Sequence, residues 1–186
     1  MKILFFDVET TGLDAKKQDI IQIAGIVEID GEVKEEFNFT CQPFSYENIS
    51  KEALEVHGMD IEQLKTFQTP QEMYKKLTKI FDKYINRYNK LDKFIPAGQN
   101  VNFDIGFLIE FFKKNGNPYC MAYIDYHKLD LMALTMALHL NGKEQFENFR
   151  LETVANKWGI EFSAHDAMSD IRATRQAILK FGEYLK

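Results

Sequence analysis

The chain has 186 residues, 45% of them hydrophobic and 27% charged, and its formal net charge is −5. That length supports one domain with a real core and is short for two. The acidic balance argues against a broad basic surface that wraps long duplexes, but it leaves room for a site that grips a short nucleic-acid end through metal ions and a few local bases.

Ile3-Leu4-Phe5-Phe6 is a short apolar run of the kind that forms a buried strand, and it continues into Asp7-Val8-Glu9-Thr10-Thr11-Gly12-Leu13. Residues 20–29 read as a second strand, Asp30-Gly31 as a hairpin turn, and Val33 to Cys41 as a third strand. Ser50 caps a predicted helix that stops at His57-Gly58. Thr69-Pro70 starts the clearest helix, in which Met73, Tyr74, Leu77, Ile80, Phe81, Tyr84 and Ile85 recur at helical spacing and read as core.

Lys93 to Gly98 reads as a short strand, and Asn102 as the cap of a helix running to Asn115-Gly116. Ala122–Asp125 is predicted as the last strand, followed by helices over 128–140, 151–157 and 167–185. A hairpin-rich first half followed by alternating helix and strand gives an α/β domain with a mixed sheet. No repeat or linker divides it, so a single domain over 1–186 is expected. Cys41 and Cys120 form neither a CxxC pair nor a zinc spacing. A reduced, cytoplasmic setting without membrane association is the expectation.

The acids carry the chemistry. Asp7 and Glu9 are two apart on a predicted strand and point to one face. Adjacent like charges need a cation or a shared proton, and a hard divalent ion suits carboxylate oxygens. Read alone, the pair also fits a strand face turned to water. Thr10-Thr11-Gly12 supplies a turn whose N–H groups and hydroxyls suit a phosphate or sugar oxygen. Asp104 falls in the first turn of a helix, where the dipole favours a carboxylate whether or not it binds a ligand. His165 and Asp170 are five apart, about 140° round a helix, so they share no helical face. The pattern fits His165 in a loop before the last helix with Asp170 one turn inside it.

Phe6-Asp7-Val8-Glu9-Thr10-Thr11-Gly12-Leu13, Asn100-x-x-Phe103-Asp104 and His165-x-x-x-x-Asp170-x-x-x-Thr174 occur in this order across nearly the whole chain. Together they resemble the three motifs of the DEDDh exonucleases, the DnaQ-like superfamily that includes polymerase proofreading subunits, exonuclease I and ribonuclease T. The stretches Asp19–Ala24, His57-Gly58-Met59 and Leu151–Ile160 also look like the family. Gln99 departs from it, standing where many members have His.

The resemblance implies a ribonuclease H-like fold, a five-stranded mixed sheet flanked by helices. It implies two divalent metal ions, Mg2+ with Mn2+ able to substitute, held by Asp7, Glu9, Asp104 and Asp170, with His165 as general base. Thr10, Thr11, Leu13 and Asn100 would meet the terminal nucleotide. The activity implied is 3′→5′ release of nucleoside 5′-monophosphates from single-stranded DNA, as in proofreading of the DNA polymerase III epsilon type or in repair. A DNA polymerase subunit is the candidate partner. The alternatives are an exoribonuclease acting on RNA 3′ ends and a non-catalytic nucleic-acid-binding module. Lys16, Lys17, Arg172 and Arg175 are candidates for upstream phosphates and equally for solvated surface. His57, His127 and His139 are assigned no chemistry.

Overall fold

The first strand is apolar on both sides, and a strand of that kind must be covered on both faces. The computed structural model describes residues 1–161, 163 and 166–185, and it shows that cover. Strands β1 (Lys2–Thr10), β2 (Ile20–Ile29) and β3 (Glu32–Thr40) form an antiparallel meander. Strand β4 (Ile95–Gly98) runs parallel to β1, pairing Ile3 with Ile95 and Phe5 with Ala97, and β5 (Leu129–Asp130) runs parallel to β4. The order β3-β2-β1-β4-β5 makes the expected five-stranded mixed sheet, with β1 in its centre.

The helices are α1 (Lys51–His57), α2 (Ile61–Leu64), α3 (Pro70–Tyr84), α4 (Val101–Lys114), α5 (Leu131–Leu140), α6 (Leu151–Trp158) and α7 (Ala167–Glu183). Leu4, Phe6 and Val8 of β1 pack with Met73, Leu77 and Phe81 of α3 and with Phe107, Leu108 and Phe112 of α4. Ile3 and Phe5 alternate to the other face and pack with Leu138 of α5, Trp158 of α6, and Ile171 and Ile178 of α7. The period-two geometry of β1 therefore builds two cores, one per face.

Local chemistry sets the helix ends. Thr69 accepts from the Glu72 N–H while Glu72 reaches back to the Thr69 N–H, a reciprocal cap in front of Pro70. Gly159 ends α6 at φ 66°, a left-handed conformation that suits glycine. Among the described residues, no helix is long and apolar enough to cross a membrane.

Three expectations need correction, and one element was not foreseen. The last strand is Leu129–Asp130, not Ala122–Asp125. Tyr123 and Ile124 are fully buried in the core on the α3–α4 side, and among the described residues their pairing with the chain leading into β4 is one isolated bridge, between Phe94 and Ile124, next to a 3-10 turn at Cys120–Ala122. Helix α5 accordingly begins at Leu131 and not Lys128, with the Asp130 side chain accepting from the Met132 N–H. Helix α4 begins at Val101, so its N-cap is Asn100 and not Asn102. The short α2, capped by Asp60, had no apolar period to announce it.

Strand β3 lies at one border of the sheet. Its residues Glu32, Lys34, Glu35 and Glu36 carry charge, and all but Phe37 are at least partly exposed. Glu35 meets Lys83 of α3 at 2.8 Å, and Glu36 meets Arg172 of α7 at 2.5 Å.

Candidate active site

Asp7 and Glu9 continue the Ile3–Phe5 side of β1 toward α7, at the end of the strand where the apolar run stops. Both are half-buried, whereas Val8 and Thr10 between and after them are buried. Helix α7 starts at Ala167, capped by Asp166, whose side chain accepts from the Ser169 N–H at 2.7 Å. Asp170 thus falls in the first turn, as its spacing predicted.

Asp104 reaches the same strand end from the other core. It lies in the first turn of α4 and is 3% exposed, and its Oδ1 accepts the Val8 backbone N–H at 3.1 Å. Strand β4 turns into α4 through only two residues, Gln99 and Asn100, and Asn100 adopts φ 54°, a left-handed conformation that Asn tolerates. Gly98, two residues before it, suits a close approach: a Cβ there would come within 3.1 Å of both the Phe6 carbonyl and the Val101 side chain.

The acids feel one another. Burial pushes the Asp7 carboxyl well above the ordinary range, and the charges of Glu9 and Asp170 add to it. Burial also raises Asp104, followed by the charge of Asp7; the Val8 N–H opposes the rise and does not overcome it. The result is a pocket of negative charge taken partly out of water, a costly arrangement unless a cation offsets it. The donor set is all oxygen and fits a hard divalent ion. Among the described residues, no group of three or more His, Cys, Asp or Glu is arranged to hold a metal as it stands.

Beside Glu9, a cavity of about 190 Å³ opens between β1 and α1, lined by Thr10, Gly12, Leu13, Val56, His57 and Phe103. Leu13 is 85% exposed at its mouth. Thr10 is buried, and its hydroxyl donates to the Gly12 carbonyl. Thr11 is 1% exposed and turned inward: its N–H donates to the Asp19 carbonyl, its carbonyl accepts from the Ser50 N–H, and its hydroxyl accepts from the Asp19 N–H. An added Cβ at Gly12 would collide with Gln18 at 1.8 Å, and Gln18 is itself held by the Asp14 N–H and the Asn48 carbonyl.

The comparisons with known proteins bear on this geometry. A model of the exonuclease family matches residues 4–178. The chain belongs to the exonuclease family.

This exonuclease chain is 28% identical over 183 residues to the PolC-type DNA polymerase III of Thermotoga petrophila, covering 97% of the chain and 12% of that protein. It is 28% identical over 179 residues to the PolC-type DNA polymerase III of Bacillus subtilis, covering 94% of the chain and 11% of that protein. The chain therefore spans about an eighth of the length of these curated relatives. Among solved structures, E. coli exonuclease I in complex with a dT13 oligonucleotide superposes with a TM-score of 0.79 at 25% identity, over 99% of this chain and 43% of that one. The zinc-bound form of the E. coli exonuclease I–single-stranded DNA complex has the same fold, with a TM-score of 0.78. The resemblance to DnaQ-like exonucleases and the ribonuclease H-like fold expected from it are borne out.

Not every candidate stands at the site of this exonuclease. His165 lies outside the described residues. Asn100 is exposed at the carboxyl end of β4, and its N–H donates to Asp130. Arg172 and Arg175 are engaged by Glu36 and Glu28, and Lys17 by Asp14. Two residues to which the sequence reading gave no role stand at or behind the cavity. His57 lines the cavity, with Nδ1 accepting from the Met59 N–H and Nε2 buried beside the Thr10 backbone; burial lowers its pKa. Helix α1 buries none of its residues, although its sequence includes Leu54 and Val56, and that apolar surplus was the available signal. Asp19, the second, is 4% exposed and anchors the Thr10–Leu13 turn from behind.

Proposed function

We propose that this exonuclease is metal-dependent and removes nucleoside 5′-monophosphates one at a time from the 3′ ends of single-stranded DNA. The observation that carries the reading is the placing of Asp7 and Glu9 on β1, of Asp104 against the Val8 N–H, and of Asp170 in the first turn of α7, all inside the span matched by the family. Support for the substrate comes from exonuclease I, whose fold the chain shares and which binds a dT13 oligonucleotide. Support for a polymerase partner comes from the PolC-type relatives.

In this reading Asp7, Glu9, Asp104 and Asp170 would hold two divalent ions, magnesium in the first instance and manganese as substitute. When bound, such ions would supply positive charge to offset the negative charge of the phosphodiester. The chain does the rest. Asp104 is fixed by the Val8 N–H, so it orients without a flexible side-chain search. His165 takes a proton from the attacking water, for which an imidazole titrating near neutrality is suited. The cavity beside Glu9 receives the terminal nucleotide, and the exposed Leu13 wedges against its base. The whole of 1–186 acts as one exonuclease domain.

The test compares 3′-labelled and 5′-labelled single strands of DNA and of RNA, with magnesium and with EDTA. Mononucleotides should appear at once from the 3′ label and late from the 5′ label, on DNA, and only with magnesium. Faster release from RNA makes the chain an exoribonuclease, and metal-dependent binding without release makes it a binding module. Rapid cutting of a circular single strand sinks the exonuclease reading.

A further inference from the structure

The segment that walls the cavity, Thr10–Leu13, has little core of its own. Its position is set from behind by an ion pair between a buried carboxylate and a partly exposed lysine of α4. Asp19 is 4% exposed, and its Oδ1 meets the Lys114 Nζ at 2.7 Å. Lys114 also donates to the Gln18 carbonyl at 2.8 Å, so it holds the chain at two successive residues. The second carboxylate oxygen of Asp19 accepts the Ser45 N–H at 3.2 Å. The Asp19 backbone exchanges bonds with Thr11 in both directions, each at 2.9 Å.

Lys114 is the last residue of α4, and Asp104 lies in the first turn of the same helix. Ten residues of helix separate them, about 15 Å of rigid rod. One end of the rod places a carboxylate at the strand end, and the other clamps the base of the turn beside it. A lysine in the last turn is also favoured by the helix dipole, which adds to the pull of Asp19 on the same ammonium.

We propose that Asp19 and Lys114 are positioning residues, which hold the Thr10–Leu13 turn at a fixed distance from the acidic cluster and so set where the terminal nucleotide sits. The inference rests on the exonuclease reading above and adds to it a means of registering the nucleotide against the acids. Neither residue touches substrate. Their effect falls on substrates that use the turn and spares those that do not.

The experiment uses two phosphodiesters with magnesium: a single-stranded DNA with a free 3′ hydroxyl, and bis(p-nitrophenyl) phosphate, which has no nucleoside to place. Lys114→Met should lower kcat/KM on the DNA by about 10- to 100-fold, the cost of misplacing a reactant by up to an ångström. The aryl diester rate should not change, and Lys114→Arg, which keeps the charge, should restore the DNA rate. A second readout needs no metal. Amide exchange at Thr11 and Asp19 should quicken in Lys114→Met while Leu4 and Phe6 in β1 keep their protection. Equal losses on both substrates, no loss on either, or quickened exchange throughout β1 would each overturn the proposal. If Lys114→Met leaves Asp19 too costly to bury and the chain does not fold, the double variant Asp19→Asn, Lys114→Met carries the same comparison without the lone charge. A wild-type protein inactive on both substrates sinks the exonuclease reading itself, whereas an active wild type with an indifferent Lys114→Met sinks only the positioning role.

Discussion

The Val8 backbone N–H donates to Asp104 Oδ1 at 3.1 Å, joining the central strand to a helix 96 positions later. That bond favours the ionised carboxylate, yet burial and the charge of Asp7 outweigh it and the Asp104 pKa is raised. A carboxyl whose folded pKa lies above its unfolded value stabilises fully below the unfolded value, and that contribution is lost as pH rises through the folded one. Asp104→Asn keeps an oxygen to accept from Val8 but never ionises. In EDTA it should match wild type near pH 4 and become the more stable protein as pH rises toward 7.5, with Tm moving about 2–4 °C per kcal/mol. Thermal melts at the two pH values check this. A difference that is the same at both would contradict the raised pKa.

Removing one acid should separate activity from folding. Asp7→Ala is expected to retain or raise the wild-type melting temperature without metal, because it relieves repulsion. It should also reduce 3′ hydrolysis to near background. Near wild-type digestion by the purified variant would show that Asp7 has no part in the chemistry.

His165, the proposed general base, lies outside the described residues, and substitution tests its role. His165→Ala should lower kcat by about 10²–10⁴-fold. Calorimetry should show unchanged metal affinity, since all four carboxylates remain. Loss of metal binding comparable with Asp170→Ala would make His165 a ligand instead.

Helix α7, which carries Asp170, is tied to β2 by Arg175, whose Nε and Nη2 reach Glu28 Oε2 at 2.7 and 2.6 Å. The Glu28 side chain is 4% exposed, so Arg175→Met strands a buried carboxylate. The expected cost is about 3 kcal/mol, the lower end for breaking a buried pair, because Arg175 itself is partly exposed. Adding Glu28→Gln should recover most of it in urea titrations. No recovery would mean that Arg175 matters through packing and not through charge.

Leu13 offers a contrast. It is 85% exposed, so Leu13→Ala should change stability by less than about 0.5 kcal/mol. If Leu13 wedges the terminal base, KM for a DNA strand should nevertheless rise. An unchanged KM would remove the wedge.

Some of this molecule is written locally and some is not. The alternating faces of β1, the hairpin at Asp30-Gly31 and the Thr69–Pro70 cap follow from neighbours in sequence, and each appears where its residues predict. Strand β5 does not, because two residues show no alternation and only the edge of β4 makes Leu129–Asp130 a strand. Tyr123 and Ile124 look like a strand because they are apolar, but aromatic packing against Phe81 and Phe112 accounts for the burial of Tyr123. At the site, the Asp7–Glu9 pair is legible from period two. Asp104 joined the set only through the family resemblance, since spacing cannot bring residues 96 positions apart together. The Asp19–Lys114 contact is equally distant in sequence, and no motif spans it.

The borders of the sheet have a consequence for how this chain meets other chains. One border, β3, presents Glu32, Lys34, Glu35 and Glu36, two of them already drawn onto helices on opposite faces; the other, β5, is two residues long. Neither offers a long, uncharged ladder on which a foreign strand could zip up, so stacking of copies edge to edge is disfavoured. A companion chain is better received through helix surfaces and loops than by lengthening the sheet, and on the proposed function that leaves the carboxylate end of β1 open to a nucleic-acid strand.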